Sequence, residues 1–200
     1  METRLRARSL SLLALGIAVV VAGCSEGGER AQPAASSTIT SAAAAPNRPS
    51  VRVTASAKGD RPERLLKGAS RRATPELQRF LTRYLSVAFD PAAARGGFQG
   101  FSEFFQPGLR PAVIRDLASL SLGREGGRLT EVQTRPAGAR VVFLVEDGRP
   151  LAASVVLRMQ GSARAPAGQG ALSLDSTFQM QRGQGGWKIA AYDSSAKVPG

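Results

Sequence analysis

This 200-residue chain offers few side chains that could do chemistry. It holds one cysteine, Cys24, and no histidine. Without an imidazole to take the proton of a serine or cysteine nucleophile, Ser-His-Asp and Cys-His systems are excluded, and the commonest metal ligand is missing as well. No GxxxxGK[ST] phosphate cradle occurs, and Gly96-Gly97 and Gly126-Gly127 read as loop glycines because neither pair joins a strand to a helix. The sequence therefore points to no catalytic residue, no metal ligand and no cofactor. One thiol remains. Cys24 directly follows an unbroken apolar run in "SLLALGIAVVVAGCSEGG".

Arg4, Arg6 and Arg8 precede residues 9–23, which carry no charge and no proline, the basic and apolar regions of an export signal. A helix of that length covers about 22 Å of a hydrocarbon core roughly 30 Å thick, so residues 1–23 read as a cleaved signal peptide rather than a permanent span. Its end, Val21-Ala22-Gly23-Cys24, resembles the bacterial lipobox, in which small residues precede a cysteine that is acylated before the signal is cut. The resemblance implies a lipidated Cys24, carrying palmitate-type chains, and a protein held on the outer, extracytoplasmic face of the cell membrane. A lone cysteine in an exported chain makes no internal disulfide, and acylation removes the free thiol. More than one acyl chain, at about 0.8 kcal/mol per buried methylene, gives stable anchoring where a single chain is marginal.

Residues 24–62 are rich in Ala, Ser, Pro and Gly and nearly lack large apolar side chains, so they bury too little surface to offset chain entropy. They read as a flexible tether with a root-mean-square span on the order of 35 Å. The alternation Val51-Arg52-Val53 offers an alternative at that point, an edge strand. Residues 63–200 then make one domain of ordinary size.

Two kinds of element must build that domain, because the apolar period is helical in its first half and alternating in its second. In "ATPELQRFLTRYLSVAFD", Thr74 suits an N-cap and Pro75 the first helical position. Leu77, Phe80, Leu81, Tyr84, Leu85, Ala88 and Phe89 form one buried stripe there. Phe98, Phe101, Phe104 and Phe105 are too close for a single stripe, and they predict a short helical turn, either in a packed corner between helices and sheet or, as the alternative, lining a ligand pocket. Pro111 opens a second helix with Val113, Ile114, Leu117 and Leu120 inward.

From residue 129 onward, "LTEVQTRP", "ARVVFLVE", "PLAASVVLRM", "ALSLDSTFQMQR" and "GWKIAAYDS" read as strands. Asp147-Gly148 forms a two-residue type I′ hairpin, and "GSARAPAGQG" a long loop. Leu172, Leu174, Phe178 and Met180 share one face of a strand, and Trp187, Ile189 and Ala191 one face of the next. The fold class expected is α+β, with N-terminal helices packed on a curved antiparallel sheet. In "ARVVFLVE", Val141, Phe143 and Val145 lie on one face and Val142 and Leu144 on the other. One helical layer cannot cover both, so Val142 and Leu144, extended by Val156, mark an association face for a second copy or an envelope protein. The competing expectation is that the long loop or part of the tether folds over it.

The helix-first order, the segment "LASLSLG" and the closing strand "QRGQGGWKIAAYD" resemble the nuclear transport factor 2-like (cystatin-like) superfamily. The likeness is nearest to exported accessory proteins related to mammalian-cell-entry-associated proteins. It implies a roll of helices on a curved sheet. Some members of that superfamily are enzymes with an Asp base and a Tyr acid inside the roll. The matching candidates here are Asp175, Asp193, Tyr84 and Tyr192, but alternation turns Asp175 toward solvent and places Tyr84 in the helix core stripe.

Charge is the last distinctive feature. Beyond residue 23 the chain holds 24 basic and 14 acidic side chains, a net +10. Residues 61–83 carry seven basic residues, Arg61, Arg64, Lys67, Arg71, Arg72, Arg79 and Arg83, against two acidic ones, which makes them the expected basic contact surface. Near an anionic membrane each basic residue contributes about 1 kcal/mol. An extracytoplasmic address and the lack of a recognisable module argue against nucleic acid. The function expected is therefore a lipid-anchored, non-catalytic accessory or binding module contacting an envelope protein or a small apolar ligand. The alternatives are an electrostatic binder of anionic polymers or lipids and, less favoured, a cavity enzyme.

Overall fold

A computed structural model describes residues 49–199 of the chain. The signal region, Val21, Ala22, Gly23, Cys24 and the tether as far as residue 48 lie outside the described residues. The elements run β1 (Val51–Lys58), α1 (Glu63–Ala88), α2 (Pro91–Arg95), α3 (Arg110–Arg115), α4 (Leu117–Leu120), β2 (Glu131–Thr134), β3 (Ala137–Glu146), β4 (Arg149–Ala165), β5 (Gly168–Gly183) and β6 (Gly186–Lys197). They make an α+β fold on a curved, unclosed sheet of six strands ordered β1-β3-β4-β5-β6, with β2 also beside β4. β4, at 17 residues, is long enough to pair with β3 up to Arg158 and with β2 from Gly161. Pro136 has no N–H for a ladder, and the break between β2 and β3 falls there. The backbone crowds at this step: a Cβ on Gly161 would stand 2.2 Å from the Gln133 carbonyl oxygen, which only glycine avoids.

Several expectations change. The alternation at Val51-Arg52-Val53 is an edge strand, so the last part of the 24–62 segment belongs to the sheet rather than to a tether. β1 pairs parallel to β3, so the sheet is mixed, and all the helices fall inside the long crossover that a parallel pair requires. Val51 is buried on its inner face, and its carbonyl accepts from Gln78 Nε2 at 2.8 Å.

The long helix begins at Glu63 rather than at Pro75, which lies inside α1. An interior proline costs about 3 kcal/mol in a helix. Here the carbonyl that loses its donor belongs to Arg71, an exposed residue, while burial of Ala69, Ser70 and Ala73 holds the earlier turns in place. Thr74, instead of capping, donates its hydroxyl to the Ser70 carbonyl at 2.8 Å.

The expected second helix is broken at Asp116 into α3 and α4. The break turns Ile114 outward, 71% exposed, while Val113 and Leu120 stay buried and Leu117 is half-buried. Asp147 and Gly148, at φ +48° and +74°, make the expected type I′ hairpin. The "GSARAPAGQG" stretch is not a loop: Ala152 to Ala165 pair in register with Gln181 to Gly168, carrying the β4–β5 hairpin to its tip.

In β6 the register passes from Gln179↔Ala191 to Met180↔Ile189, leaving Ala190 as the extra residue of a bulge. The alternation shifts by one there. Trp187 and Ile189 are buried before it, Tyr192 faces inward after it, and Ala191 is exposed rather than sharing their face.

Candidate functional site

The interior between α1 and the sheet is filled by rings. Tyr84 is fully buried, with Phe101, Phe104, Phe105 and Phe178 around it at centroid distances of 5.3–6.4 Å. This is the packed corner expected of the clustered phenylalanines. Its hydroxyl donates to the Leu120 carbonyl at 2.6 Å, tying α1 to α4. Burial pushes the Tyr84 phenol far above its ordinary range, and the nearby Tyr192 adds to the rise.

The four Asp and Tyr candidates are not brought together. Asp175 is exposed on the outer sheet face, paired with Arg158 at 3.1 Å, and Asp193 is exposed on that same face. Tyr192 instead donates to Asp116 Oδ2 at 2.9 Å, across 76 positions of sequence, a partner that no local pattern signals. Burial, then the bond to Asp116, pushes the Tyr192 phenol up to about 12. The Arg115 guanidinium, and next the Tyr192 hydroxyl, hold the Asp116 carboxyl below its usual range. This group fastens β6 to the junction of α3 and α4, as does Ser194, whose hydroxyl donates to the Ser119 carbonyl at 2.7 Å.

What the fold leaves open lies outside the core, around α1. Six of the seven singled-out basic residues are on this helix, Arg61 precedes it, and all seven are exposed. Arg61 pairs with Asp147 at 2.8 Å, Lys67 with Glu63 at 2.9 Å and Arg83 with Glu103 at 3.8 Å. Among the described residues Arg64, Arg71, Arg72 and Arg79 have no ion-pair partner.

Arg79 and Arg83, one turn apart, stand on a ridge between two depressions. On one side an open groove of about 1310 Å³ runs between α1, the start of α2 and β2. On the other a cleft of about 320 Å³ lies between α1 and the β5–β6 turn, lined also by Phe80, Phe104, Trp187 and Lys188. Sequence reading marked the two arginines but not this cleft, whose other wall comes from the far end of the chain.

The expected association face is uncovered by any described helix. Val142 is 36% exposed and Leu144 55%, while Val156 is half-buried. Leu151, 43% exposed, belongs beside them. It is the extra residue where the register passes from Leu144↔Ala152 to Val145↔Pro150, a position no alternation marks. The β4–β5 segment expected as a covering loop is itself paired strand. If two copies meet on this face, Leu144→Arg should convert a dimer to a monomer in sedimentation of residues 43–200. A monomer before substitution, at every concentration, counts against self-association.

Among the described residues no helix is long and apolar enough to cross a membrane, and no group of three His, Cys, Asp or Glu side chains is placed to hold a metal ion. No protein-family model matches the sequence, and no curated protein matches it.

Proposed function

We propose that this chain is a lipid-anchored, non-catalytic binding module of the bacterial cell envelope. In this reading its domain is a nuclear transport factor 2-like (cystatin-like) roll, similar to mammalian-cell-entry-associated accessory proteins, that contacts an envelope protein or a small apolar ligand. The observation that carries the reading is the ring-filled interior: where a cavity enzyme of that superfamily would hold substrate, Tyr84 is packed among four phenylalanines with its hydroxyl bonded to a main-chain carbonyl. Recognition is then left to the outer surface, where the α1 clefts and the bare sheet face are available. The Val21-Ala22-Gly23-Cys24 motif supports the anchor.

Cys24→Ala is the direct test. It should abolish metabolic labelling by a fatty-acid probe and leave the protein either unprocessed or released from the membrane. Labelling that survives the substitution removes the anchor from the proposal. A second reading, an electrostatic binder of anionic polymers or lipids, is favoured by the four α1 arginines without carboxylate partners. It requires binding to anionic vesicles that weakens steeply with salt.

A further inference from the structure

We infer that the cleft between α1 and the β5–β6 turn is a binding site for a carboxylate carried on a small apolar group. Two features of the cleft converge on that chemistry. Its walls are aromatic: Phe80 and Phe104 meet edge to face at 5.5 Å, and Trp187, 3% exposed, packs on Phe143 at 5.8 Å. Its rim is cationic, with Arg79, Arg83 and Lys188 lining it.

The carboxylates already at the rim do not meet these demands. Glu76 is held by Arg182 at 2.7 Å, and Glu103 reaches Arg83 only at 3.8 Å. Lys188 donates to the main-chain oxygen of Glu103, so its charge is not matched by that bond. Arg79 has no carboxylate partner among the described residues and stands one turn from Arg83, a repelling arrangement that a shared anion relieves. Gly185 and Gly186 also line the cleft, and they present no side chain to close it.

A planar carboxylate supplies two acceptor oxygens, matched to the two parallel donors of the Arg79 fork. The aromatic walls take its apolar body, and the volume lies at the small end of ligand sites. The assignment rests on the binding-module reading. Its test is independent of labelling at Cys24, so either can fail alone.

The chain's single tryptophan makes its emission a reporter of this cleft. The full chain in detergent is titrated with phenylacetate, with the uncharged isostere phenylacetamide and with inorganic phosphate. Phenylacetate should give a saturable change that phenylacetamide and phosphate give at least about tenfold more weakly. Arg79→Gln, at an exposed position, should weaken phenylacetate binding by about tenfold or more. No saturable change with phenylacetate, equal binding of phenylacetamide or phosphate, or unchanged affinity in Arg79→Gln overturns the proposal.

Discussion

Replacing Tyr84 by alanine should lower the stability of the domain by roughly 3–5 kcal/mol, the cost of emptying a buried aromatic site. Total stabilities of such domains are about 5–15 kcal/mol, so a marginal domain would unfold. The ring sits where α1, the Phe101–Phe105 corner and Phe178 of β5 meet. Tyr84→Phe keeps the ring but leaves the buried Leu120 carbonyl without its donor, so about 1–3 kcal/mol should be lost.

The same hydroxyl gives a pH signature. Burial raises the Tyr84 phenol above its unfolded value near 10, so the folded state keeps a proton that the unfolded chain releases. Its contribution is complete below about pH 10 and is lost as pH climbs toward the folded value. Tyr192, pushed up to about 12, acts in the same direction. Chemical denaturation across pH 8–12 should show stability falling above about 10, and less steeply in Tyr84→Phe. A parallel fall in both proteins would contradict this account of the hydroxyl.

Trp187→Ala should be comparably damaging, also roughly 3–5 kcal/mol, because the indole is buried on the inner sheet face against Phe143. Trp187→Phe should cost much less. It gives up part of the ring but also removes an N–H with no partner, which lowers the penalty for burying the site. Denaturant midpoints compare the two variants directly. An unchanged midpoint in Trp187→Ala would reject the packing described here.

How far the sequence could be read depended on whether a local signal survives tertiary context. The Asp147-Gly148 hairpin was legible because its positive φ angles are a property of two residues. The Leu77, Leu81, Tyr84, Leu85 and Ala88 stripe was legible because a helix repeats its pattern over several turns. Pro75 misled because a residue that suits a helix start is also tolerated inside one when flanking turns are well packed. Ile114 misled because the break at Asp116 ends the periodicity its assignment relied on.

Most of the strand pairing in β1 was hidden by its composition, since an edge strand needs only one partly apolar face. The candidate cleft was half legible. Its arginines stand out on a charged helix, but Trp187 and Lys188 join them only through the path of the sheet.

The bulge at Ala190 gives the last strand a phase. Of two neighbouring segments of one strand, the one before the bulge places odd-numbered side chains inward and the one after it even-numbered side chains, so one residue acts as a change of reading frame. Loss of that residue would remove the bulge and leave Ile189 and Ala191 consecutive, still opposite Met180 and Gln179, so the ladder would run on with both faces kept. Tyr192 would still face Asp116 and Ser194 Ser119, and Ala191 and Asp193 would stay on the outer face. Descendants of this sequence can therefore vary at position 190 in the identity of the residue, and even in its presence, with both faces of the strand kept.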